Sequence, residues 1–295
     1  MKLRLNEFMQ LKHIQRLLLL GKIILFLITY VVLVFAVTTI CQNIFPGRRF
    51  YEQLPVELFL YAVDIFVLVL FIKVIDKEKI VSAVGLSLKN HVKEFFIGGL
   101  AGAVSILIGF LIIIKLNFEQ VGLSSYWIVK FDYFFIGTLL LLCSAIIEEM
   151  FFRGYVFRKL SEKFPPFISL ILSAVFFVSL HLFNYDMTFW SIVNIFLGGI
   201  VLGMLYLKTK NLWLAVGFHF SWNYIQSLLG FNVSGGGRLP SILSLDFEEM
   251  NAWNGGDFGF EGSYVSSIIL ICIVIVITRI YWKKIKQNQN DFATN

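Results

Sequence analysis

Three charged side chains fall within six residues, Glu148, Glu149 and Arg153, in the otherwise apolar run SAIIEEMFFRG. Two histidines follow in equally apolar surroundings: His181 in FFVSLHLFN, and His219 in GFHFSWNY with Asn223 four residues later. On a helix, Glu149 and Arg153 share a face, with the Glu N-terminal to the Arg in the better orientation, so that pair neutralises itself. Glu148 points about 100° away around the helix and has no local cation, so it needs a partner from another segment or a proton. Phe177 lies one turn before His181, and Asn223 one turn after His219, each pair on one face. A lone buried histidine more often bonds between helices than catalyses, and a Glu–Arg pair in a membrane is often structural. The conjunction argues otherwise. One unpaired carboxylate, two imidazoles and a carboxamide are what peptide hydrolysis requires: a base, groups that hold water or metal, and a donor for an oxyanion. Glu148, His181, His219 and Asn223 are therefore the candidate catalytic residues, with Glu149, Arg153 and Phe177 as structural support.

The elements that carry these residues are membrane helices. The chain is 58% hydrophobic and only 15% charged, with 32 Phe among 295 residues, more apolar material than a water-soluble core of this size hides. Disorder, coiled coil, collagen and disulfide scaffold are excluded. Eight stretches can cross about 30 Å of hydrocarbon as helices: Leu17 to Ile40, Pro55 to Ile75, Phe95 to Leu116, Tyr133 to Phe157, Phe167 to Phe183, Phe189 to Leu207, Leu212 to Gly230 and Tyr264 to Trp282. The expected fold class is all-α, a polytopic membrane helical bundle of about eight transmembrane helices. Most of the 25 Lys and Arg residues cluster in segments that share a side with the N-terminus, against Arg48, Arg49, Lys115, Lys130 and Arg238 opposite. This bias sets both termini in the cytoplasm. The net charge of +6 sits in short clusters between apolar runs and not along one face, so no nucleic-acid partner is expected.

The basic N-terminus precedes a retained first span, with no small-residue cleavage site that would mark a removed signal peptide. Lys22, near a helix end, is expected to snorkel to the interface. Cys41, Cys143 and Cys272 lack the spacing of a disulfide framework or zinc knuckle. Gly98 with Gly102, and Gly199 with Gly203, give flat strips for close helix contact. The expected division is an N-terminal region of three spans (1–132), a core of spans four to seven (133–230), an outer, partly ordered Gly- and Asn-rich acidic loop (231–263), and a last span with a basic tail (264–295). Counting from the span boundaries puts Glu148, His219 and His181 at roughly 12, 12 and 21 Å from the cytoplasmic surface. Helix tilt and side-chain reach would have to bring them together.

In order along the chain, Glu148-Glu149-x-x-x-Arg153, Phe177-x-x-x-His181 and His219-x-x-x-Asn223 resemble the three motifs of the CPBP family. That family comprises CAAX prenyl protease type 2 (Rce1-like) enzymes and bacteriocin-processing or immunity-associated (Abi) membrane proteins. The resemblance covers Tyr133 to Gly230, and no motif position departs from it. It implies an intramembrane endopeptidase in which Glu148, helped by His181, activates water while His219 and Asn223 stabilise the oxyanion. The run GGDFGFEGS, Gly255 to Ser263, is similar to a stretch of many bacterial members.

For cofactor, the choice lies between none and one divalent metal, zinc, held by Glu148, His181 and His219. No His-Glu-x-x-His run preorganises such a site. The expected partners are the lipid bilayer, a peptide or membrane-protein substrate and, as a further candidate, another membrane protein. The expected location is the cell membrane, with a bacterial plasma membrane the better match. The competing functions are a non-catalytic bacteriocin-immunity, scaffold or regulatory protein, and a proton-coupled transporter. Transport is disfavoured by the lack of an internal repeat or paired broken helices.

Overall fold

A computed structural model describes residues 2–44, 50–80, 84–87, 91–117, 120–124, 131–236 and 241–293. Eight long helices dominate them, as the apolar runs require. They are α1 (Lys2–Ile44), α2 (Phe50–Val69), α3 (Val92–Asn117), α4 (Phe131–Glu149), α5 (Pro166–His181), α6 (Phe189–Thr209), α7 (Trp213–Leu228) and α8 (Tyr264–Ala293). The protein is an all-α polytopic bundle. Among the described residues, five helical stretches are long and apolar enough to cross a membrane: Gln10–Ile44, Val56–Ile75, Val92–Lys115, Phe134–Ser161 and Phe189–Thr209. The other three expected spans are shorter. Helices α5 and α7 have 16 residues each, and the apolar part of α8 is Tyr264–Ile280. Much of α7 is wrapped by protein: Leu214 to His219 are all buried, as are Ser221, Trp222, Asn223, Gln226 and Ser227.

Two helices end in wide turns that periodicity does not announce. α2 runs into a π-helical turn, Leu70–Ile75, and α4 into a longer one, Met150–Phe157, followed by a short α-helical piece, Arg158–Ser161. Bonding from i to i+5 widens the backbone, and such turns concentrate at functional sites. From Phe151 to Phe157 every side chain is buried, so the wide turn directs all of them, Arg153 included, into protein.

The small-residue strips do what close contact requires. Gly98 and Gly102 of α3 lie against the α7 backbone, and Gly217 of α7 against α3; a Cβ at any of them would overlap the facing helix. Gly199 and Gly203 of α6 likewise receive Ala174 and Leu170 of α5. Helix α7 is thus pressed between α3 and α6, with its His219 face turned to α4. One core cluster gathers Ile106, Phe157, Val216, Phe260 and Val265 across all the expected sequence divisions.

Outside the motifs, Lys22 has an ionic partner: its ammonium pairs with Asp76 at the end of the first π-turn. The outer loop is more built than its composition suggests. Strand β2 (Leu243–Asp246) pairs antiparallel with β1 (Gln120–Leu123), and residues 255–263 fold inward as two 3₁₀ turns, burying Phe258, Phe260, Gly262 and Ser263. Cys41, Cys143 and Cys272 are free. The outer-side residues Arg48, Arg49, Lys130 and Arg238 lie outside the described residues.

Candidate functional site

The site assembles where the last turn of α4 meets the middle of α7. Glu149 is fully buried, and one carboxylate oxygen, Oε1, accepts from Arg153 Nη1 at 2.8 Å and from His219 Nδ1 at 2.9 Å. Arg153, itself 1% exposed, spends a second nitrogen on the Gly199 carbonyl of α6 at 3.1 Å and lays its guanidinium 4.7 Å from the centroid of Phe177. Helices α4, α5, α6 and α7 are thereby tied to one cation, which is itself compensated by a carboxylate, as a charge at this depth must be.

Glu148 behaves differently from its neighbour. Its side chain is 30% exposed, and Ser144 Oγ, one turn earlier, donates to Oε1 at 2.7 Å. Its other oxygen, Oε2, lies 3.8 Å from His219 Nε2. Glu148 has no cation on its own helix and meets His219 of another, while Glu149, besides its pair with Arg153, bonds the same ring. Both carboxylates flank one imidazole. With Glu149 paired to Arg153 as a carboxylate, it can only accept, so His219 Nδ1 carries a proton and Nε2 faces Glu148.

Asn223 is buried one turn further along α7, and its Oδ1 has no partner among the described residues; the same holds for Glu149 Oε2 and Arg153 Nε. Unpaired buried polar atoms are few in folded proteins and mark places where a missing partner is accommodated. Three in one neighbourhood define this one.

His181 does not join the cluster directly. Its Nδ1 donates to the Phe177 carbonyl at 2.8 Å, and its ring stacks on Phe177 with centroids 4.4 Å apart. Phe177 stands between the two histidines, its centroid 6.4 Å from that of His219. The helix that bears the second motif thus meets this cluster through the ring of Phe177. A metal does not fit this arrangement: among the described residues no three His, Cys, Asp or Glu side chains form a group that could hold one.

One carboxyl at membrane depth was not anticipated. Asp64 of α2 is 9% exposed, takes the Tyr30 hydroxyl of α1 as a hydrogen-bond partner, and lies within electrostatic range of Glu148. A single Asp in the run LYAVDIFVLV carries the signal, since an acid there needs a partner.

A site of this kind, with carboxylates and imidazole gathered inside a helical membrane bundle, defines a class of polytopic protein with acid–base potential. Residues 130–225 match the family model described as type II CAAX prenyl endopeptidase Rce1-like. That match spans about a third of the chain, and in this region the protein is similar to the CPBP, Rce1-like membrane proteases. No curated protein and no solved structure matches it.

Proposed function

We propose that the protein is an intramembrane endopeptidase that hydrolyses a peptide bond of a membrane-associated peptide or protein with water activated by Glu148. The observation that carries this reading is the flanking of His219 by Glu149 at 2.9 Å and Glu148 at 3.8 Å. The wider gap suits a water that bridges Glu148 Oε2 and His219 Nε2.

Glu148 takes a proton from that water while the oxygen adds to the scissile carbonyl carbon. The carbonyl π-bond opens to an oxyanion, which the Asn223 amide N–H stabilises. The tetrahedral intermediate then collapses, the C–N bond breaks, and Glu148 returns its proton to the leaving amine, leaving a free carboxylate and a free amine. Glu149, anchored by Arg153, holds the His219 ring in register as a carboxylate does for a catalytic imidazole elsewhere. His181, separated from His219 by the Phe177 ring, takes no part in this proton transfer. No step passes through a metal. The bias of basic residues supports a topology with both termini in the cytoplasm, and the long apolar helices support a multi-pass membrane protein.

The test uses purified wild type and Glu148→Ala in detergent, each incubated with a quenched peptide library with and without chelator, with products read by mass spectrometry. Cleavage by wild type alone, unaffected by chelator, is the expected result. Equal cleavage by Glu148→Ala would overturn the assignment, and loss on chelation with recovery on added zinc would overturn the metal-free version. Absence of cleavage together with an intact cellular phenotype in Glu148→Ala would favour the scaffold or immunity role.

A further inference from the structure

The hydrolysis proposed above makes no use of residues 255–263, yet almost every residue there has a defined task. Gly255 and Gly259 adopt φ of +92° and +97°, and a Cβ on either would overlap backbone, at Gly259 and Asn232 respectively. Phe258 and Phe260 are fully buried. Phe260 lies over Trp222 with centroids 5.6 Å apart and fills the space above Gly109 of α3, where any side chain would overlap its ring. Ser263 caps the start of α8, its Oγ accepting from Ser266 N at 3.0 Å.

Glu261 is the point of this construction. Its Oε1 accepts from the Trp222 indole N–H at 3.1 Å, and its Oε2 from Ser234 Oγ. Its backbone carbonyl accepts from Asn194 Nδ2 of α6 at 2.7 Å, and Asn194 also holds the Ser263 carbonyl at 2.8 Å while its Oδ1 accepts from Ser267 of α8 at 2.6 Å. The carboxylate is therefore clamped to α6 and α8 by its own backbone and reaches out to one side chain of α7. Trp222 lies between His219 and Asn223 in sequence. A charge-assisted bond to it fixes the rotation of α7 at the turn that carries both residues.

We infer that the inward-folded segment is a positioning wedge and that Glu261, acting through Trp222, is a positioning residue for His219 and Asn223. Helix α7 is backed by α3, whose glycines leave it no space, and is pressed from the outer end by Phe260, so its rotation depends on the bond that Glu261 accepts. The inference rests on the peptidase reading for its catalytic consequence but not for its structural one.

The experiment takes the full-length protein in detergent with the library peptide that wild type cleaves fastest. It compares Glu261→Ala, Glu261→Gln, Trp222→Phe and the double variant Glu261→Ala with Trp222→Phe. Loss of a hydrogen bond to a charged group, felt as misplacement of the oxyanion donor, is expected to lower kcat about tenfold in Glu261→Ala and in Trp222→Phe. KM should stay within about twofold, because the bond does not touch substrate. The double variant should be no slower than the worse single one, since both remove one interaction. Glu261→Gln should stay near wild type, its amide oxygen still accepting from the indole. In parallel, amide hydrogen exchange should speed up across α7 in Glu261→Ala and not in Glu261→Gln. Wild-type kcat in Glu261→Ala, multiplicative losses in the double variant, or unchanged α7 exchange would each overturn the inference. If wild type cleaves no peptide, the functional reading fails while the exchange comparison still decides the wedge.

Discussion

Helix α4 and its continuation carry two groups of charges, one at 148–153 and one at 158–162, and the protein treats them in opposite ways. At the second group three cations, Lys22, Arg158 and Lys159, meet three carboxylates, Asp76, Glu78 and Glu162. Lys159 alone touches all three of those acids, and the acids on the rim remain wet, Glu78 at 31% and Glu162 at 42% exposed. At the first group two carboxylates flank one imidazole and one of them pairs with an arginine, that pair is almost wholly excluded from solvent, and Glu149 Oε2, Arg153 Nε and Asn223 Oδ1 have no partner among the described residues. Balanced, multiply bridged charge joins α1, the end of α2 and the end of α4, as structure requires. Unbalanced charge with open lone pairs is costly to keep, and it lies where a water and a peptide would complete it.

The sharpest way to break the comparison is at Glu148. If the first group is reactive, Glu148→Ala removes the base and should lower kcat/KM by at least about a thousandfold. Its thermal unfolding should barely move, because the side chain is partly exposed, accepts one hydrogen bond from Ser144 and lies 3.8 Å from His219. Peptide kinetics and a melting curve on the same preparation check both halves. A stable, fully active variant would make the first group as structural as the second.

Glu149→Gln tests the other carboxylate and should affect activity and stability together. The amide keeps the shape but withdraws the charge that compensates a fully buried arginine; breaking such a pair by removing one partner costs about 3–5 kcal/mol. The His219 ring loses its anionic anchor at the same time. We expect a lower melting temperature with kcat reduced more than KM is raised, whereas a fall in stability with unchanged kcat would restrict Glu149 to holding the helices together.

Asn223→Ala is the intermediate case. It removes one oxyanion donor, so kcat should fall about a hundredfold with KM little changed. Because Asn223 Oδ1 has no partner to lose, stability should hold or rise slightly. Destabilisation would show that the amide is structural.

How far this contrast was visible beforehand depends on the range of the contacts. Hydrophobic runs alone locate all eight helices, and the three motifs select Glu148, His219 and Asn223 because local spacing places them on faces. The Glu149–Arg153 pair is also local and was read correctly as far as it goes. The third partner, His219, sits 70 residues away, and only tertiary packing reveals that Glu149 orients it. Lys22 meets Asp76 across 54 residues, which no helical period encodes. The π-turn at Met150–Phe157 hides because apolar residues on every side read alike at 3.6 or 4.4 residues per turn. Residues 255–263 read only as part of a partly ordered loop because much of their order comes from Asn194 and Trp222, outside the segment.

The balanced group yields the smallest effect and the one with a defined pH window. Burial alone would push the Glu78 carboxyl up, but the hydrogen bond from Lys159 and the charge of Arg158 outweigh it and hold the group below its ordinary value of 4.5. A folded-state value that is depressed means that the unfolded chain binds the proton first. The contribution is therefore complete above about pH 4.5 and is lost as pH falls through the lower folded-state value. Glu78 is partly exposed and screened, so a small effect is expected. In Glu78→Gln the melting temperature near pH 7 should drop slightly, its fall between pH 5 and the acid limit should be shallower than in wild type, and peptide cleavage at pH 7 should be unchanged. Melting curves across that range decide it: parallel curves for the two proteins would mean that Lys159 and Arg158 do not act on Glu78 as charges, and a large loss of cleavage would mean that the two groups on α4 are coupled and not separate.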